Sequence, residues 1–395
     1  MFALFVIVAS LQAASLGDRV AAAAPGDTVR VPAGVYVEPT VVVDRPLVLI
    51  GEAGTVLDGQ GKRALLEIRA DNVTVEGFTF RHTGVTFLED RAALRVQDAS
   101  QCRIAGNRFE ETFFGVYLAR ADRCEIARNE FRTTPDREVN GGNAIHSWYS
   151  TGLRITDNSV SGHRDGIYLE FTSDSRVVGN ASSYNLRYGL HFMFSDRCSY
   201  ERNTFEGNGA GVAVMYAEGV TMTGNRFAGA AGPSAYGLLL KEIKGGTLAG
   251  NTFEANAVAL HVESTDRMLV EGNHFVRNGW AVRVMADATD NRFVRNAFNR
   301  NTFDVSTNSR HTAASTFAEN YWDRYDGYDL DRDGFGDRPF RPVRLFALIV
   351  ELHEPAVVLL GSPLAGLLDA MESVVPLLTP ESLIDPRPAM KPLVP

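Results

Sequence analysis

The stretch Cys102-Arg103-Ile104-Ala105-Gly106-Asn107-Arg108-Phe109 contains a short pattern that recurs along most of the chain. In the typical copy an apolar residue lies three positions before an asparagine, and a phenylalanine lies two positions after it. Successive asparagines are 22 to 29 residues apart, and a repeat of this length is typical of a solenoid. The asparagines of this series are Asn107, Asn129, Asn158, Asn180, Asn203, Asn225, Asn251, Asn273, Asn296 and Asn320.

A second pattern lies between the asparagines. It is a short alternating run that opens with a small residue, as in Gly166-Ile167-Tyr168-Leu169 and Gly189-Leu190-His191-Phe192. Runs of this kind indicate β-strands and are too short for helices, and the chain lacks the fixed leucines of leucine-rich repeats. We therefore predict an all-β fold, a right-handed parallel β-helix with about 22 residues per coil. Each coil should pair with the previous one about 4.8 Å away, with the asparagines stacked along one turn.

Composition and charge argue against one class of function, nucleic-acid binding. The 395 residues carry a formal charge of -9 with a pI near 5.5, and no basic patch is visible, which argues against a nucleic-acid partner. A solenoid grows linearly, so a chain of this length need not divide into several compact domains. We predict a solenoid over residues 24–322, an Asp- and Gly-rich loop over 323–342, and a C-terminal tail over 343–395.

Residues 1–23 form a separate N-terminal segment. The run from Phe2 to Leu11 has the length of a signal-peptide core, and Ala13 and Ala14 could provide a cleavage site, although no Lys or Arg precedes the run. The alternative is a first buried strand. Because an alanine-rich break follows, we expect an exported chain.

The three cysteines do not form a disulfide scaffold. Cys102, Cys124 and Cys198 each lie five residues before a ladder asparagine, so all three should face the interior as small core residues. Cys102 and Cys124 should also lie on adjacent coils, close enough for a disulfide on distance alone. The sequence leaves both alternatives open.

The strand that opens with a small residue should present an unusual outer face. Apolar residues at its first and third positions after the small residue should point inward, so the second and fourth should point outward. In the middle coils these outward positions hold imidazole, thioether, aromatic and carboxylate groups, which suit a protein-docking patch or a transient copper site. The candidate residues are His146, Trp148, Tyr168, Glu170, His191, Met193, Met215 and His261.

A carbohydrate-active enzyme is the alternative function, since many β-helix proteins act on polysaccharides. Glycoside hydrolysis requires two carboxylates a few ångströms apart. The outward positions carry isolated acids such as Asp165, Glu170 and Glu263, without a paired aspartate. We therefore do not expect an enzyme.

The acidic loop after the last repeat resembles a calcium-binding loop. Asp329, Asp331, Asp333 and Asp337 occupy its positions one, three, five and nine, and Gly334 lies at position six. Phe340 stands where a bidentate glutamate would be expected. Structural calcium and a metal-free Asp/Gly turn both remain open.

The tail beyond Val343 is apolar but interrupted by charges and prolines, so no run is long enough to span a bilayer. We expect short amphipathic helices that either cap the solenoid or dock on a membrane partner. The candidate docking residues are Leu345, Phe346, Leu348, Leu359, Leu360 and Met390.

Together these motifs resemble the NosD family, the periplasmic maturation factors of nitrous oxide reductase. The specific parts are Tyr188-Gly189-Leu190-His191-Phe192-Met193, Asn320-Tyr321-Trp322 and the terminal Met390-Lys391-Pro392-Leu393. The resemblance implies a non-enzymatic β-helical subunit that works with an ABC permease, its ATPase subunit and a copper chaperone to assemble the copper-sulfur centre of the reductase. It also implies that His191, Met193 and Met215 face copper or a partner protein, and that the tail makes a peripheral contact at the membrane through the permease.

Overall fold

Each coil of the chain contains three short strands separated by turns, and the strands of successive coils pair in parallel. The computed structural model describes residues 14–86, 88–135, 137–232, 235–308, 315–374 and 383–392. These residues form a parallel β-solenoid of about 12 coils with about 22 residues per coil, followed by a few helices. The all-β fold and its period are therefore confirmed.

Three rows of strands run along the solenoid, numbered in the order in which the chain passes through a coil. Row 1 precedes the ladder asparagine, row 2 follows it, and row 3 is the alternating run that opens with a small residue. Row 1 consists of Thr28–Val31, Val48–Gly51, Thr74–Glu76, Arg103–Ala105, Glu125–Ala127, Arg154–Thr156, Arg176–Val178, Ser199–Glu201, Asp266–Glu271, Arg292–Val294 and Thr316–Ala318.

Rows 2 and 3 complete each coil. Two long strands, Gly211–Thr223 and Tyr236–Ala249, continue from row 3 into row 1 without a break. Row 2 consists of Gly34–Tyr36, Thr55–Asp58, Thr79–Arg81, Arg108–Glu110, Glu130–Arg132, Ser159–Ser161, Ala181–Ser183, Thr204–Glu206, Arg226–Ala228, Thr252–Glu254, His274–Val276, Ala297–Asn299 and Tyr321–Trp322. The other strands of row 3 are Val41–Val43, Leu66–Ile68, Ala92–Gln97, Phe114–Ala119, Ile145–Trp148, Ile167–Glu170, Tyr188–Met193, Val258–Glu263, Trp280–Val284 and Phe303–Ser306.

The asparagines form a hydrogen-bonded ladder at the turn between rows 1 and 2. The backbone N–H and the Nδ2 of Asn107 both donate to Oδ1 of Asn129, at 3.0 and 3.1 Å, and Nδ2 also donates to the carbonyl of Val75. The same arrangement repeats to Asn320. There the carboxylate of Asp385, which comes from the tail, accepts the two hydrogen bonds in place of a further asparagine.

The interior is a continuous apolar core in which aromatic rings stack along the axis. From Phe227 to Phe298 the row 2 phenylalanines lie 4.7 to 4.9 Å apart, and Trp322 ends the stack. Cys102, Cys124 and Cys198 are buried free thiols. The backbone N–H of Cys102 lies 3.3 Å from Sγ of Cys124, so these two residues do stack on adjacent coils.

The two ends of the solenoid are covered differently. The apolar run from residue 2 to residue 11 lies outside the described residues, but helix α1, Leu16–Ala22, buries Leu16 and Val20 against the first coils. At the other end, helices α2 (Leu345–Leu352) and α3 (Pro363–Val374) flank a 3-10 helix, Glu354–Leu359. A short 3-10 helix, Glu138–Asn140, lies in the loop between the row 2 strand Glu130–Arg132 and the row 3 strand Ile145–Trp148.

Candidate outer-face site

Side chains along each row 3 strand point alternately into the core and to the outer face of the sheet. Leu190 and Phe192 lie in the core, whereas His191 and Met193, between and after them, do not. The strand pairing places the outward residues in two parallel lines. One line contains His146, Tyr168 and His191, and the other contains Trp148, Glu170, Met193 and Met215. These seven residues are called the middle strip below.

His261 lies apart from the middle strip. Ala213 and Leu239 occupy the two coils between His191 and His261 in the same line. Oε2 of Glu263 lies 3.7 Å from Nε2 of His261, and the ring of Tyr236 lies 4.9 Å from the imidazole. The eight predicted residues therefore form one group of seven and one separate histidine.

The histidines lie on the outer face of the sheet but are covered by neighbouring side chains. His146, His191 and His261 are only 8%, 4% and 6% exposed. The rings of Tyr168 and Tyr188 each lie 4.7 Å from that of His191. The expectation of an open imidazole surface is therefore corrected, because bulky side chains on the same strands and in the preceding turns close over the rings.

The half-buried members of the middle strip are the thioethers, the aromatic residues and the carboxylate. Met193 and Met215 are paired in register on adjacent coils, and Met193 is paired with Glu170 on the other side. The hydroxyl of Tyr168 donates to Sδ of Met193 at 3.5 Å. In this strip the thioether side chains of Met193 and Met215 are therefore more accessible than the buried imidazoles of His146 and His191.

A buried carboxylate lies beside His191. Oδ2 of Asp165 is 3.8 Å from Nδ1 of His191, with the guanidinium groups of Arg164 and Arg187 at 3.7 and 3.9 Å from the same carboxylate. Burial raises the pKa of Asp165, but the contact with His191 and the charges of Arg187 and Arg164 outweigh this and lower it overall. Asp165 thus remains an anion next to the imidazole.

Burial keeps the imidazoles of His146 and His261 neutral at pH 7. It lowers the pKa of His146 to about 3, and the charge of Arg164 adds to this effect. Burial, together with the charge of Arg283, lowers the pKa of His261. Nδ2 of Asn143 lies 3.2 Å from Nδ1 of His146. A neutral imidazole is the form that binds a metal ion, so protonation does not block His146 or His261 at neutral pH.

Sequence reasoning missed part of this arrangement. It described Asp165 only as an isolated acid and Tyr188 only as part of the motif that carries the family resemblance, and it gave no role to Asn143 or Arg187. The usable signal was position, because all four lie within four residues before an outward histidine or tyrosine of row 3. Side chains at the entry of a strand can fold over its outer face, and here they do so.

The donor set of the middle strip fits a soft metal ion better than a hard one. Thioether favours Cu(I), and neutral imidazole binds copper in either oxidation state. Among the described residues, the one preformed group of three His, Cys, Asp or Glu ligands is elsewhere, at Asp329, Asp331 and Asp333. The residues of the outer face with the softest donors for copper are Met193 and Met215, with His191 on the same strand as Met193.

The acidic loop brings together three of its four predicted ligands. Carboxylate oxygens of Asp329, Asp331 and Asp333 lie within 4.8 Å of one another. Asp337 does not join them, because its Oδ2 accepts from the N–H of Leu330 at 2.7 Å and closes the loop. Asp333 also pairs with Arg387 of the tail at 2.5 Å. The loop has the acids of a calcium site, and protein donors already engage several of their oxygens.

The tail residues divide into two groups. Leu345, Phe346 and Leu348 are buried, and Phe346 packs with Phe303 on the outer face of row 3, so these three are corrected from partner-docking to internal packing residues. Leu359 and Leu360 are 43% and 46% exposed, and Met390 is half-buried. No helix among the described residues has the length and apolar character needed to cross a membrane.

The fold and this site define a class: a parallel β-solenoid whose outer sheet carries histidine and methionine side chains in its middle coils. A family model described as periplasmic copper-binding protein (NosD) matches residues 132–327, a range that contains the whole middle strip. A probable ABC transporter binding protein NosD of Pseudomonas aeruginosa is 30% identical over 368 residues, covering 89% of this chain and 85% of that protein. The chain belongs to the NosD family.

A second relative agrees with this assignment, and two solved structures share the fold. A second protein of the same description, from Stutzerimonas stutzeri, is 28% identical over 381 residues, covering 92% of this chain and 86% of the relative. Among solved structures, the A-module of the Azotobacter vinelandii mannuronan C-5 epimerase AlgE6 has a TM-score of 0.61 at 15% identity, covering 75% of this chain and 90% of that module. The Streptococcus pneumoniae surface adhesin PfbA has a TM-score of 0.59 at 11% identity, covering 71% and 84%. At these identities the structural likeness shows the fold alone.

Proposed function

We propose that this protein is a non-enzymatic periplasmic assembly factor for the copper-sulfur centre of nitrous oxide reductase. In this role it works with an ABC permease, the ATPase subunit of that permease and a copper chaperone. Membership of the NosD family supports the proposal, as do the descriptions of its relatives as ABC transporter binding proteins. The observation that carries it is the half-buried thioether pair, Met193 and Met215, in register on adjacent coils beside the buried His191.

Copper is the cargo in this proposal, held briefly and passed on. Two thioethers at the surface bind Cu(I) weakly enough to release it, whereas a closed set of thiolates would retain it. The three thiols of the chain are buried in the core, away from the outer face. On the outer face of the middle coils, Met193 and Met215 are therefore the soft ligands that a partner can approach.

The exposed part of the tail is the proposed contact with the permease. Val358 is 83% exposed, and Leu359 and Leu360 adjoin it, so the loop between α2 and α3 presents an apolar tip. Large exposed apolar groups of this kind mark protein or membrane contacts. Because Phe346 and its neighbours anchor α2 to row 3, the tip has a fixed position on the solenoid.

The outer face also supports a role without catalysis. Glu170 has Trp148 and Met193 as its cross-strand neighbours, and neither supplies the second carboxylate that glycoside hydrolysis requires. A purified preparation should release no reducing or unsaturated ends from acidic glycans in the presence of calcium. Release of such ends would refute the non-enzymatic role.

The test of the proposal compares strains that carry different forms of the chain. A deletion strain should produce nitrous oxide reductase without its catalytic copper, and the wild-type chain should restore it. Met193→Ala with Met215→Ala should lower copper loading at least several-fold. Leu88→Ala, an apolar residue 97% exposed on another coil, is the control and should restore full loading. Fully loaded reductase in the deletion strain would refute the proposed function.

A further inference from the structure

Four aromatic side chains, three of them exposed and one half-buried, form a column beside the middle strip. Tyr149, Phe171, Phe194 and Tyr216 occupy equivalent positions on four successive coils, directly after Trp148, Glu170, Met193 and Met215, and Tyr216 lies within the long strand Gly211–Thr223. Their ring centroids are 4.5, 5.0 and 5.0 Å apart, and successive ring planes differ by 7° to 15°. Trp148, of the middle strip, contacts the ring of Tyr149 edge-on at 4.7 Å. These four residues are called the aromatic column below.

The turn does not need aromatic residues. All four have positive φ values between 48° and 56°, a conformation that favours Gly, Asn and Asp and is unusual for bulky side chains. In neighbouring coils Arg120 and Glu242 take the same turn position, with φ of 52° and 53°. The fold therefore accepts a polar residue at this position, and the backbone conformation does not require four aromatic residues in succession.

The turn is held instead by the residues that follow the column. Ser150, Thr172 and Ser195 are buried, with their hydroxyl groups inside the turn. The hydroxyl of Ser150 accepts from the N–H of Ala121 at 3.0 Å, and that of Ser195 accepts from the N–H of Thr172 at 3.1 Å. Because these hydroxyls close the turn, the aromatic rings remain free for another role.

The column exposes an apolar surface that is small by the standard of permanent complexes. Tyr149, Phe171 and Phe194 are 52%, 37% and 42% exposed. With Tyr216 this corresponds to about 300 Å² of aromatic surface, which is within the range of functional patches on single proteins. A stable dimer buries about 800 Å² on each partner. The column therefore suits a short-lived complex with another protein.

The orientation of the rings favours a protein over a polysaccharide. Sugars bind aromatic residues by lying flat on a ring face. In the column each inner ring has both faces covered by its neighbours, so the ring edges point outward. A row of edges makes a flat apolar ridge, which complements apolar side chains of a protein surface.

We propose that the aromatic column is the docking surface for the protein that delivers Cu(I) to this chain. This inference rests on the proposed function and extends it by naming residues that recognise the copper donor. The column directly follows Met193 and Met215 in sequence, so a protein docked on the rings lies next to the thioethers that receive the ion. In this proposal the aromatic column binds the donor protein, and the adjacent Met193 and Met215 receive the Cu(I) ion.

The test replaces two central rings by a residue that suits the turn. Phe171→Asn with Phe194→Asn removes the ridge, and asparagine tolerates the left-handed conformation, so the variant should fold, and its far-UV circular dichroism should match that of the wild type. Tyr184→Asn is the matched control, since Tyr184 has φ 52° and is 68% exposed on a different turn. The probe is the purified periplasmic copper chaperone of the same organism, loaded with Cu(I) and immobilised for binding measurements.

We expect the double variant to bind this chaperone at least about tenfold more weakly, while Tyr184→Asn binds like the wild type. Equal binding by wild type and double variant would overturn the docking inference and leave the proposed function intact. Failure of the wild-type chain itself to bind the chaperone would count against both. A wild-type dimer in analytical ultracentrifugation that is lost in the double variant would also overturn the inference, because the column would then join two copies of this chain.

Discussion

Replacing Asp385 by alanine should loosen the C-terminal end of the solenoid. Asp385 is fully buried and ends the asparagine ladder from a point 65 residues further along the chain than Asn320. Its Oδ2 accepts from the backbone N–H of Asn320, from Nδ2 of Asn320 and from Nε1 of Trp322, at 2.9, 3.0 and 3.1 Å. Its Oδ1 accepts from the N–H of Glu319 at 3.1 Å.

The magnitude follows from the donors that alanine would leave without an acceptor. A buried donor that loses its partner costs about 1–3 kcal/mol, and the donors of Asn320 and Trp322 lose theirs together. Local relaxation and entry of water reduce the sum, so we expect a loss of about 3–5 kcal/mol for opening the last coil. Asp385→Asn keeps one acceptor oxygen and repeats the chemistry of the earlier rungs, so its loss should be nearer about 1 kcal/mol.

Hydrogen exchange is the suitable assay, because a solenoid opens locally and one global unfolding energy would hide the effect. Peptides covering residues 316–322 should exchange at least about a hundredfold faster in Asp385→Ala. Asp174→Ala, which removes an exposed ion pair with Arg197, is the control and should change exchange little. If the exchange of residues 316–322 in Asp385→Ala stays within threefold of the wild type, the carboxylate does not cap the ladder.

Three further predictions concern the ladder, a buried acid and the acidic loop. Asn225→Ala removes hydrogen bonds to Asn203, Asn251 and the carbonyl of Tyr200 and should destabilise the coils on both sides by about 3 kcal/mol, seen as faster exchange there; unchanged exchange would contradict a structural ladder. Burial raises the pKa of Asp304 from 3.8 to about 6, so the stability that its protonated form contributes is complete below about pH 4 and is lost as the pH rises through about 6. Asp304→Asn should therefore be more stable than the wild type at pH 7.5, by up to about 3 kcal/mol, and no more stable at pH 4, as measured by denaturant titration; the same difference at both pH values would contradict this. Millimolar calcium should raise the melting temperature of the wild type but not of Asp329→Asn with Asp331→Asn, and an equal shift in both would exclude calcium from the loop.

Much of the fold could be predicted because the coil repeats a few strict requirements. In every coil one side chain must hydrogen-bond the buried backbone groups at the turn between rows 1 and 2. Asparagine does this in each coil, so asparagines recur at a regular spacing in the sequence. A second ladder was missed, although its signal is visible as an asparagine three residues after a row 2 phenylalanine. Asn256 donates to Asn278, and Asn278 donates to Asn301, with Nδ2 to Oδ1 distances of 3.1 and 3.0 Å.

The candidate site was less predictable from the sequence. The alternation of residues along a strand shows which side of the sheet a side chain lies on, but it does not show whether other side chains cover it. Sequence alone places His191 on the outer side of its strand, and the structure agrees on that side. It does not show that Tyr188 and Tyr168 cover the ring, since this depends on how side chains from neighbouring turns fold back. Likewise, the apolar pattern of α2 does not distinguish packing on Phe303 from docking on a partner.

The spacing of the aromatic column limits the shape of whatever lies along it. Its rungs are 4.5 to 5.0 Å apart, whereas an α-helix places one side chain per turn every 5.4 Å or so. A straight helix parallel to the solenoid axis therefore gains about 0.6 Å on each rung and is about 2 Å out of step after three intervals. Four rungs are thus about as many as such a helix can follow, so a helical partner segment in register with the whole column would be about four turns long.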